Sequence, residues 1–383
     1  MTRRLRLGMV GGGEGAFIGA VHRIAARLDD RWELVAGAFS SDPDRARASA
    51  NGLHVAPDRG YGSFAEMAER EAARDDRIDA VAIVTPNHMH FAPAAAFLER
   101  GIAVICDKPL THRLEDALAL ADLVQRTGVP FALTHNYTGY PMVRQARAMV
   151  QSGALGAVRV VQAEYPQEWL TTKLEDTGQK QAAWRTDPAR SGAAGSLGDI
   201  GTHAFNLAEF VTGLRCDSVA ADLTIFVPGR ALDDNGQMLL RFEGGAKGAL
   251  WCSQVAPGNE NGLRLRVYGE RGGLDWSQEH PNQLHYSPFG QPPQLITRAG
   301  AGAGPAAAHA SRIPSGHPEG YLEAFAQLYR DFADQLEARH EGRSPDPATL
   351  LVPGIADGLR GMRFIAAALA SSGNDSRWTK LEA

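Results

Sequence analysis

The first third of the chain alternates short apolar runs with longer stretches of helical periodicity. This alternation is typical of a parallel sheet wrapped by helices, and it constrains the fold more than any other feature of the sequence. It predicts strands at Leu5 to Val10, Glu33 to Phe39, Ala80 to Thr85, Ala103 to Cys106 and Pro130 to Thr134. It predicts helices at Ala20 to Leu28, Pro43 to Asn51, Ser63 to Arg74, Phe91 to Arg100 and Leu114 to Thr127. We therefore expect residues 1–135 to form a doubly wound α/β domain.

After a further predicted helix at Tyr140 to Gln151, the pattern changes to β-rich stretches with few helices between them. These stretches are Val158 to Glu164, Ser218 to Val227, Gly236 to Phe242, Ala246 to Gln254, Leu263 to Tyr268 and Gly273 to Trp276. They predict a large, mainly antiparallel open sheet, with a hairpin turn at Glu243 to Gly245. Helices are expected at Gly201 to Thr212, Glu319 to Arg339 and Leu350 to Ala370. The Gly-, Ala- and Pro-rich segment Pro288 to Ser315 is expected to be a long surface loop, so that residues 136–383 form a second α/β domain.

The composition narrows the range of partners. A chain of 383 residues is longer than one hydrophobic core usually organises, so two domains are expected. Its formal charge of -5 gives no reason to expect nucleic acid or an anionic membrane as a ligand. No apolar run is long enough to span a bilayer, and no signal-peptide pattern is present. The three cysteines form no C-x-x-C pair, which favours a reducing, cytoplasmic location.

A glycine-rich turn follows the first predicted strand and precedes the first predicted helix. Gly11 and Gly13 lie in the turn, and Gly19 follows after Phe17 and Ile18. Glycine permits a tight turn and lets backbone N–H groups approach a pyrophosphate at a helix N-terminus. A purely structural turn is the alternative, but the βαβ context favours a dinucleotide-binding Rossmann domain.

The end of the second strand leaves the choice of dinucleotide open. An NAD-binding domain generally places an acid there to bind the adenosine ribose, whereas here Phe39 is followed by two serines before Asp42. Ser40 with Arg45 would suit the 2′-phosphate of NADP, and Asp42 would suit the ribose of NAD or cap the next helix ahead of Pro43. We expect NAD, and NADP is the alternative.

The loop after the third strand reads Thr85-Pro86-Asn87-His88-Met89-His90. It lies at the carboxyl end of a parallel strand, where doubly wound sheets bind ligands. Its residues either contact the cofactor or form a simple loop and helix cap. The spacing of His88 and His90 would also suit a metal, but no further ligand cluster accompanies them, so no metal is expected.

The loop after the fourth strand carries Asp107-Lys108-Pro109. A lysine at this strand end is either an acid/base for a substrate hydroxyl or a solvated side chain. Farther along, Gly198 to His203 forms a glycine-punctuated run entering a helix, with Asp199 and His203 four residues apart. On a helix these two side chains share a face and can converge on one substrate, although an N-cap aspartate and an unrelated histidine would show the same spacing.

Taken together, these motifs resemble the glucose-fructose oxidoreductase, inositol dehydrogenase and MocA family (Gfo/Idh/MocA) over nearly the full length. The resemblance rests on the glycine turn, the Thr85 to His90 run, the strand-end lysine-proline, Trp184-Arg185 and Gly198 to His203. It implies that Lys108, Asp199 and His203 form the catalytic group for hydride transfer to or from nicotinamide. It also implies an open sheet that mediates tetramers or dimers. The predicted cofactor-binding residues are Gly11, Gly13, Phe17, Ile18, Gly19, Ser40, Arg45, Thr85, Pro86, Asn87, His90, Asp107 and Lys108.

Two departures from the family pattern stand out. Asp107 replaces the usual glutamate before the lysine, and the glycine turn is longer than usual. With Thr134 to Tyr137 and Gly316 to Gly320, these features resemble a branch near bacterial dehydrogenases of scyllo-inositol and related sugars. That placement implies substrate contacts by Lys108, Asp199, His203, Tyr137, Trp184, Arg185 and His317.

The leading hypothesis is an NAD(P)-dependent dehydrogenase that oxidises a secondary or anomeric ring hydroxyl of a cyclitol or sugar to a ketone or lactone. The resemblance also reaches glycosidases that retain NAD through an oxidation and re-reduction. A regulatory protein that binds a dinucleotide without chemistry is the third hypothesis. Lys108, Asp199 and His203 occurring together argue against it.

Overall fold

The fold is described from a computed structural model that covers residues 3–382. Residues 1, 2 and 383, at the ends of the two predicted domains, lie outside this range. By its internal contacts the chain divides into two units: residues up to Asn136 with Tyr321–Leu359, and Tyr137–Gly320 with the residues from Arg360 onwards.

The first unit is built on a five-stranded parallel sheet with the order β2-β1-β3-β4-β5. Its strands are β1 (Leu5–Gly11), β2 (Trp32–Ala38), β3 (Ala80–Val84), β4 (Ala103–Cys106) and β5 (Phe131–Leu133). β3 and β4 are wholly buried, as expected of central strands covered on both faces. The chain order reverses between β1 and β3, and in doubly wound sheets this reversal marks the ligand-binding edge.

An isolated parallel bridge joins Gly37 of β2 to Gly60. In the usual Rossmann order a further strand pairs with β2 at this edge of the sheet. Here that strand is reduced to the single bridge, and the rest of the sheet keeps the Rossmann order. The helices of this unit are α1 (Phe17–Leu28), α2 (Pro43–Gly52), α3 (Phe64–Ala72), α4 (Phe91–Leu98), α5 (Leu114–Thr127) and α11 (Tyr321–His340). The predicted doubly wound domain is confirmed.

The second unit contains a nine-stranded sheet with the order β13-β12-β11-β10-β6-β9-β8-β7-β14. Its strands are β6 (Val158–Pro166), β7 (Cys216–Thr224), β8 (Asn235–Phe242), β9 (Lys247–Ser253), β10 (Arg264–Gly269), β11 (Gly272–Ser277), β12 (Gln283–Pro288), β13 (Gln294–Thr297) and β14 (Thr379–Lys380). All neighbours pair antiparallel except β6 and β9. The predicted mainly antiparallel sheet is confirmed, and the predicted hairpin turn joins β8 to β9.

One face of this sheet is buried and the other is open. Val161, Leu250 and Val267 lie on the buried face, against which α6 (Pro141–Gln151) and α9 (Thr202–Thr212) pack. On the open face, Val160 and Tyr268 are directly paired across β6 and β10 and are 38% and 41% exposed. The remaining helices are α7 (Lys180–Arg185), α8 (Pro188–Ser191), α10 (Pro305–Ala310) and α12 (Ile355–Ser372).

The prediction of a long loop over Pro288 to Ser315 is wrong. β13 lies within it and pairs with β12, where Leu284 faces Ile296 and both are buried. α10 follows, with Pro305 in its first turn, and packs on α6. Both elements are too short to show a clear period in the sequence, so the glycine and proline content dominated the prediction.

The division by contacts differs from the predicted boundary between residues 135 and 136 in two respects, the first being that Asn136 groups with the first unit. Tyr321–Leu359, which the sequence placed in the second domain, groups with the first unit. The reason is packing: α11 lies against α1, and the backbone N–H of Leu133 donates to the carbonyl of Pro353. None of the described helices is both long and apolar enough to cross a membrane.

Candidate active site

The glycine turn lies at the carboxyl end of β1. Gly11 and Gly12 adopt positive φ angles of 80° and 69°. A Cβ on Gly19 would lie 2.4 Å from the Cα of Gly12, so the start of α1 can approach the turn only because both residues lack side chains. A Cβ on Gly13 would lie 2.8 Å from the carbonyl oxygen of Phe39. The turn therefore needs glycine at the predicted positions.

The start of α1 has the properties of a dinucleotide site. Among the described residues, no side chain caps the helix at Ala16, and no acid lies in the first turn. Phe17 is 66% exposed there. Uncapped N–H groups and the positive end of a helix favour an anion, so this turn fits the pyrophosphate of a nicotinamide dinucleotide.

The structure resolves the role of Asp42 in the folded chain. Its Oδ1 accepts a hydrogen bond of 2.9 Å from the N–H of Arg45, and Pro43 occupies the first turn, so Asp42 is the N-cap of α2. Ser40 Oγ in turn accepts from the Asp42 N–H at 3.1 Å. The Arg45 side chain is exposed. The structure therefore shows Asp42 as a helix cap. The cofactor contacts of Ser40 and Arg45 stay predictions.

The loop from Thr85 to His90 is held by its own side chains. Thr85 Oγ1 donates to the carbonyl of Met89 at 3.0 Å. The ring of His90 is buried, with Nδ1 2.7 Å from the carbonyl oxygen of Pro109 and Nε2 3.0 Å from that of Thr85. Burial lowers the pKa of His90, although Asp107 and the two carbonyls oppose that shift. His90 therefore links two strand-end loops through both ring nitrogens, and its contact with the cofactor stays a prediction.

Asn87 is buried in this loop and Pro86 precedes it, half-buried; their cofactor contacts stay predictions. Within residues 3–382, no group of three or more His, Cys, Asp or Glu side chains is arranged to hold a metal ion. His88 packs against His112, with ring centres 6.4 Å apart.

Asp107 and Lys108 follow β4 directly, with a cis peptide between Lys108 and Pro109. Asp107 Oδ1 accepts from the N–H of Lys108 at 3.0 Å and from Thr134 Oγ1 at 2.8 Å. Burial opposes ionisation of this carboxyl, but His22 and the positive charge of Lys108 lower its pKa to about 2. Asp107 is thus an ionised anchor that joins the ends of β4 and β5 and fixes the backbone of Lys108.

His135 and Asn136 follow β5 and are buried. Burial, with Lys108 as a neighbouring cation, lowers the pKa of His135 to about 3, so its ring is neutral at neutral pH. The Nδ2 of Asn136 has no hydrogen-bond partner in the described part of the chain. A buried amide donor of this kind is available to a ligand.

In the second unit, the segment carrying Asp199 is a π-helical turn, Leu197–Gly201, which runs into α9. Such turns are rare and frequently mark functional sites. The turn is held from outside by Asp233, whose carboxylate accepts from the N–H groups of Gly195 and Leu197 and from Ser196 Oγ at 2.7–2.8 Å. Burial raises the pKa of Asp233, and these three donors oppose that shift.

The carboxylate of Asp199 is bound by two side chains of its own unit. Arg185 Nε lies 3.1 Å and Gln254 Nε2 lies 2.9 Å from Asp199 Oδ2. The Arg185 guanidinium in turn lies over the ring of Trp184, 4.3 Å from its centre. Asp199 is therefore an oriented, charge-balanced acceptor, and Trp184 and Arg185 belong to the same cluster as the sequence had proposed.

His203 lies one turn farther along, buried against aromatic rings. The ring of Tyr137 contacts it edge-on at 4.8 Å between centres, and the ring of Tyr165 lies at 6.3 Å. The two tyrosine hydroxyls share a short hydrogen bond, and Tyr165 Oη donates to Asn261 Oδ1 at 2.7 Å. Burial raises the pKa of Tyr137, with Asp199 adding to the shift and the hydrogen bonds of Tyr165 and Asn261 opposing it.

The structure thus brings together Asp199, His203, Tyr137, Trp184 and Arg185 in the second unit, and Asp107 and Lys108 in the first. His317 is exposed on a loop whose backbone is held by the buried ion pair of Arg298 with Glu319, which measures 2.9 Å. Its contact with substrate stays a prediction. Hydroxyl, amide, imidazole and carboxylate groups around Asp199 form a surface suited to a ligand with several hydroxyl groups.

Comparison with known proteins decides the family. Residues 5–135 match the oxidoreductase family model with an NAD-binding Rossmann fold, and residues 143–275 match the GFO/IDH/MocA C-terminal domain. An uncharacterised oxidoreductase of Bacillus subtilis is 33% identical over 100% of this chain and 98% of its own length. The chain belongs to the Gfo/Idh/MocA family.

Two solved structures are similar to this chain over nearly their whole lengths. An oxidoreductase from Sinorhizobium meliloti is 57% identical, with a TM-score of 0.90 and coverage of 99% of this chain and 100% of the other. An inositol dehydrogenase homologue from Azotobacter vinelandii, solved with NADH and myo-inositol, is 37% identical, with a TM-score of 0.91 and coverage of 99% and 98%. The Gfo/Idh/MocA protein described here is thus an oxidoreductase with an NAD-binding Rossmann domain.

Several residues of this Gfo/Idh/MocA site were missed by sequence reasoning. Gln254, Tyr165, Asn261 and Asp233 all bind or hold the predicted site residues. Gln254 follows β9, Tyr165 lies near the end of β6, and Asp233 and Asn261 lie just before β8 and β10. All four are outside any motif, and only the pairing of the nine-stranded sheet brings them to Asp199 and His203. The signal that was available is a polar residue at the end of a predicted strand, for Gln254, or just before one, for Asn261, and such residues are too common for this signal alone to select them.

Proposed function

We propose that this protein is an NAD-dependent dehydrogenase that oxidises a ring hydroxyl of a cyclitol or sugar to a ketone or lactone. The observation that carries the proposal is the polar cluster of the second unit. A guanidinium and an amide hold the Asp199 carboxylate, and two tyrosine rings pack against the imidazole of His203. A polyhydroxylated ring offers alternating donors and acceptors to such a cluster. The myo-inositol bound in the Azotobacter homologue supports the same substrate class.

In the proposed mechanism, Lys108 accepts the proton of the reacting hydroxyl. Asp199 accepts a hydrogen bond from a substrate hydroxyl and orients the ring, while Arg185 and Gln254 keep the carboxylate in place. His203 acts as a second proton-handling group or binds a neighbouring hydroxyl, with Tyr137, Trp184 and the exposed His317 as further substrate contacts. Bound nicotinamide dinucleotide supplies the hydride acceptor. We propose that NAD is used, although Ser40 with Arg45 leaves room for NADP.

The test is a panel of scyllo-inositol, myo-inositol, glucose and methyl glucosides, assayed for reduction of NAD and NADP in parallel. The variant Lys108→Met is expected to lose at least about 100-fold in kcat while NADH binding persists, the size typical of a lost general base. Lys380→Met, at an exposed lysine, is the matched control and should retain activity. Near-normal turnover by Lys108→Met would remove Lys108 from the mechanism.

Two other outcomes would identify the competing activities. Release of a glycosidic leaving group without net NADH formation would identify a glycosidase with a retained cofactor. Tight NADH binding without turnover of any tested polyol would favour a regulatory protein.

We further propose that copies of the chain associate through the open face of the nine-stranded sheet. Val160, Tyr268 and Leu239 lie on that face and are 38%, 41% and 57% exposed. A run of partly exposed apolar residues on one face is typical of an interaction surface. Sedimentation of wild type and Leu239→Asp would test this: the variant should shift to a smaller species, and an unchanged coefficient would refute the proposal.

A further inference from the structure

A network of three buried polar side chains in the first unit ends at the backbone of Lys108. It consists of Tyr329 on α11, His22 on α1 and Asp107 after β4. His22 Nδ1 lies 2.9 Å from Tyr329 Oη, and His22 Nε2 lies 3.9 Å from Asp107 Oδ1. The His22 side chain is 0% exposed, and its ring packs on Phe325 at 5.0 Å between centres. Buried polar groups connected in this way are costly to disturb.

His22 Nε2 makes no hydrogen bond within the described residues, so its 3.9 Å contact with Asp107 is electrostatic, and the charge on Asp107 decides which ring nitrogen carries the proton. An ionised carboxylate can only accept, so the ring nitrogen that faces it, Nε2, carries the proton. In the neutral ring Nδ1 is then an acceptor, and Tyr329 donates its hydroxyl proton to it. Tyr329 is itself fixed, because Trp32 Nε1 donates to its carbonyl at 2.9 Å and the Trp32 ring contacts it edge-on.

Asp107, at the far end of this polar network, fixes the backbone of Lys108. Asp107 Oδ1, which His22 faces, is also the acceptor for the N–H of Lys108 and for Thr134 Oγ1. A shift of that oxygen must therefore move the strand end from which the Lys108 side chain projects. His22 belongs to α1, the helix whose first turn follows the glycine turn, so this network joins that helix to the lysine segment.

We propose that His22 and Tyr329 are positioning residues that hold Asp107, and through it Lys108, in the reactive arrangement. The proposal rests on the proposed role of Lys108 as the acid/base. It gives a reason for aspartate at position 107, since an aspartate folds back onto the N–H of the next residue while still facing His22. It also assigns a function to a histidine that lies in no catalytic motif.

Two isosteric substitutions separate the halves of the network. Gln places an amide donor where His22 has Nε2, so His22→Gln keeps the donor toward Asp107 and loses the Tyr329 contact. Asn places its amide where His22 has Nδ1, so His22→Asn keeps the Tyr329 contact and loses the donor. We expect kcat to fall about tenfold in His22→Asn and no more than about threefold in His22→Gln, with KM for the polyol nearly unchanged in both.

Hydrogen exchange supplies a readout that needs no substrate. The N–H of Lys108 should exchange about tenfold faster in His22→Asn than in wild type, and about threefold faster in His22→Gln, which loses only the Tyr329 contact. Equal exchange and equal kcat in the two variants would overturn the proposal. Because exchange is measured without turnover, it stands even if Lys108→Met shows that the lysine is not the acid/base.

A second pair of variants guards against misfolding at position 22. Tyr329→Phe removes one hydroxyl and should accelerate Lys108 exchange while leaving the fold intact. Tyr61→Phe is its matched control, since Tyr61 is a buried tyrosine of the same unit whose hydroxyl donates to Glu71 at 2.7 Å. The specific link to His22 would be refuted if Lys108 exchanged faster in Tyr61→Phe, or if its exchange were not accelerated in Tyr329→Phe.

Discussion

A buried neutral histidine should make this protein unusually sensitive to mild acid. His135 is 2% exposed, and its pKa of about 3 compares with 6.5 for an unperturbed histidine. Between these values the unfolded chain binds a proton at this position and the folded chain does not. Stability must therefore fall as the pH drops below 6.5, and it stops falling on this account only near pH 3.

The size of the effect follows from the two pKa values. Lowering the pH from 7.5 to 5.0 protonates His135 almost completely in the unfolded chain and hardly at all in the folded one. The free energy of unfolding should then drop by about 2 kcal/mol from this residue alone. Other buried histidines, such as His90, add to the loss in the wild type but are unchanged by a substitution at position 135.

The assay is urea unfolding at both pH values, compared between wild type and His135→Gln. The substitution itself lowers the free energy of unfolding, but by the same amount at both pH values. The difference between the two pH values therefore reports only the protonation of His135. His135→Gln should lose about 2 kcal/mol less than wild type on acidification. His340→Gln, at an exposed histidine of the same unit, is the control. An equal acid loss in wild type and His135→Gln would refute the reasoning.

Two further substitutions test the geometry of each unit. In Asp233→Asn the amide NH₂ must face at least one of the three groups that now donate hydrogen bonds to the carboxylate, so the π-helical turn should shift. We expect kcat/KM for the polyol to fall about tenfold and the affinity for NADH to stay unchanged. A wild-type kcat/KM would show that the turn does not depend on this anchor. Gly19→Ala places a Cβ 2.4 Å from Gly12 and should weaken NADH binding at least about tenfold in a fluorescence titration. Gly52→Ala, with open space around its Cβ, should bind NADH normally.

Much of the first unit could be predicted because its signals are local. The strands from β1 to β5 are short apolar runs, and α5 ends where Gly128 adopts a positive φ. The glycine turn and Lys108 follow from position alone, since both lie at strand ends. Asp42 shows the limit of such reasoning: the residue that would suit a ribose also suits an N-cap, and only the hydrogen bond to Arg45 distinguishes them.

The parts that could not be predicted depend on pairings between distant segments. Gln254 reaches Asp199 across 55 residues, and Tyr329 reaches His22 across 307. No periodicity encodes such contacts. His22 in particular is one polar residue on an otherwise ordinary helix, and its importance appears only when α11 is seen to pack beside α1.

The pKa values of three buried groups bear on the proton transfer that we propose. Asp107, with a pKa of about 2, stays ionised at neutral pH, and His135, with a pKa of about 3, stays neutral. Burial raises the pKa of Tyr137, so its phenol stays protonated. None of these groups changes charge in the range where a dehydrogenase is assayed. In the proposed mechanism Lys108 and His203 handle the proton, and a pH–rate profile compared between Lys108→Arg and His203→Asn would assign the two roles.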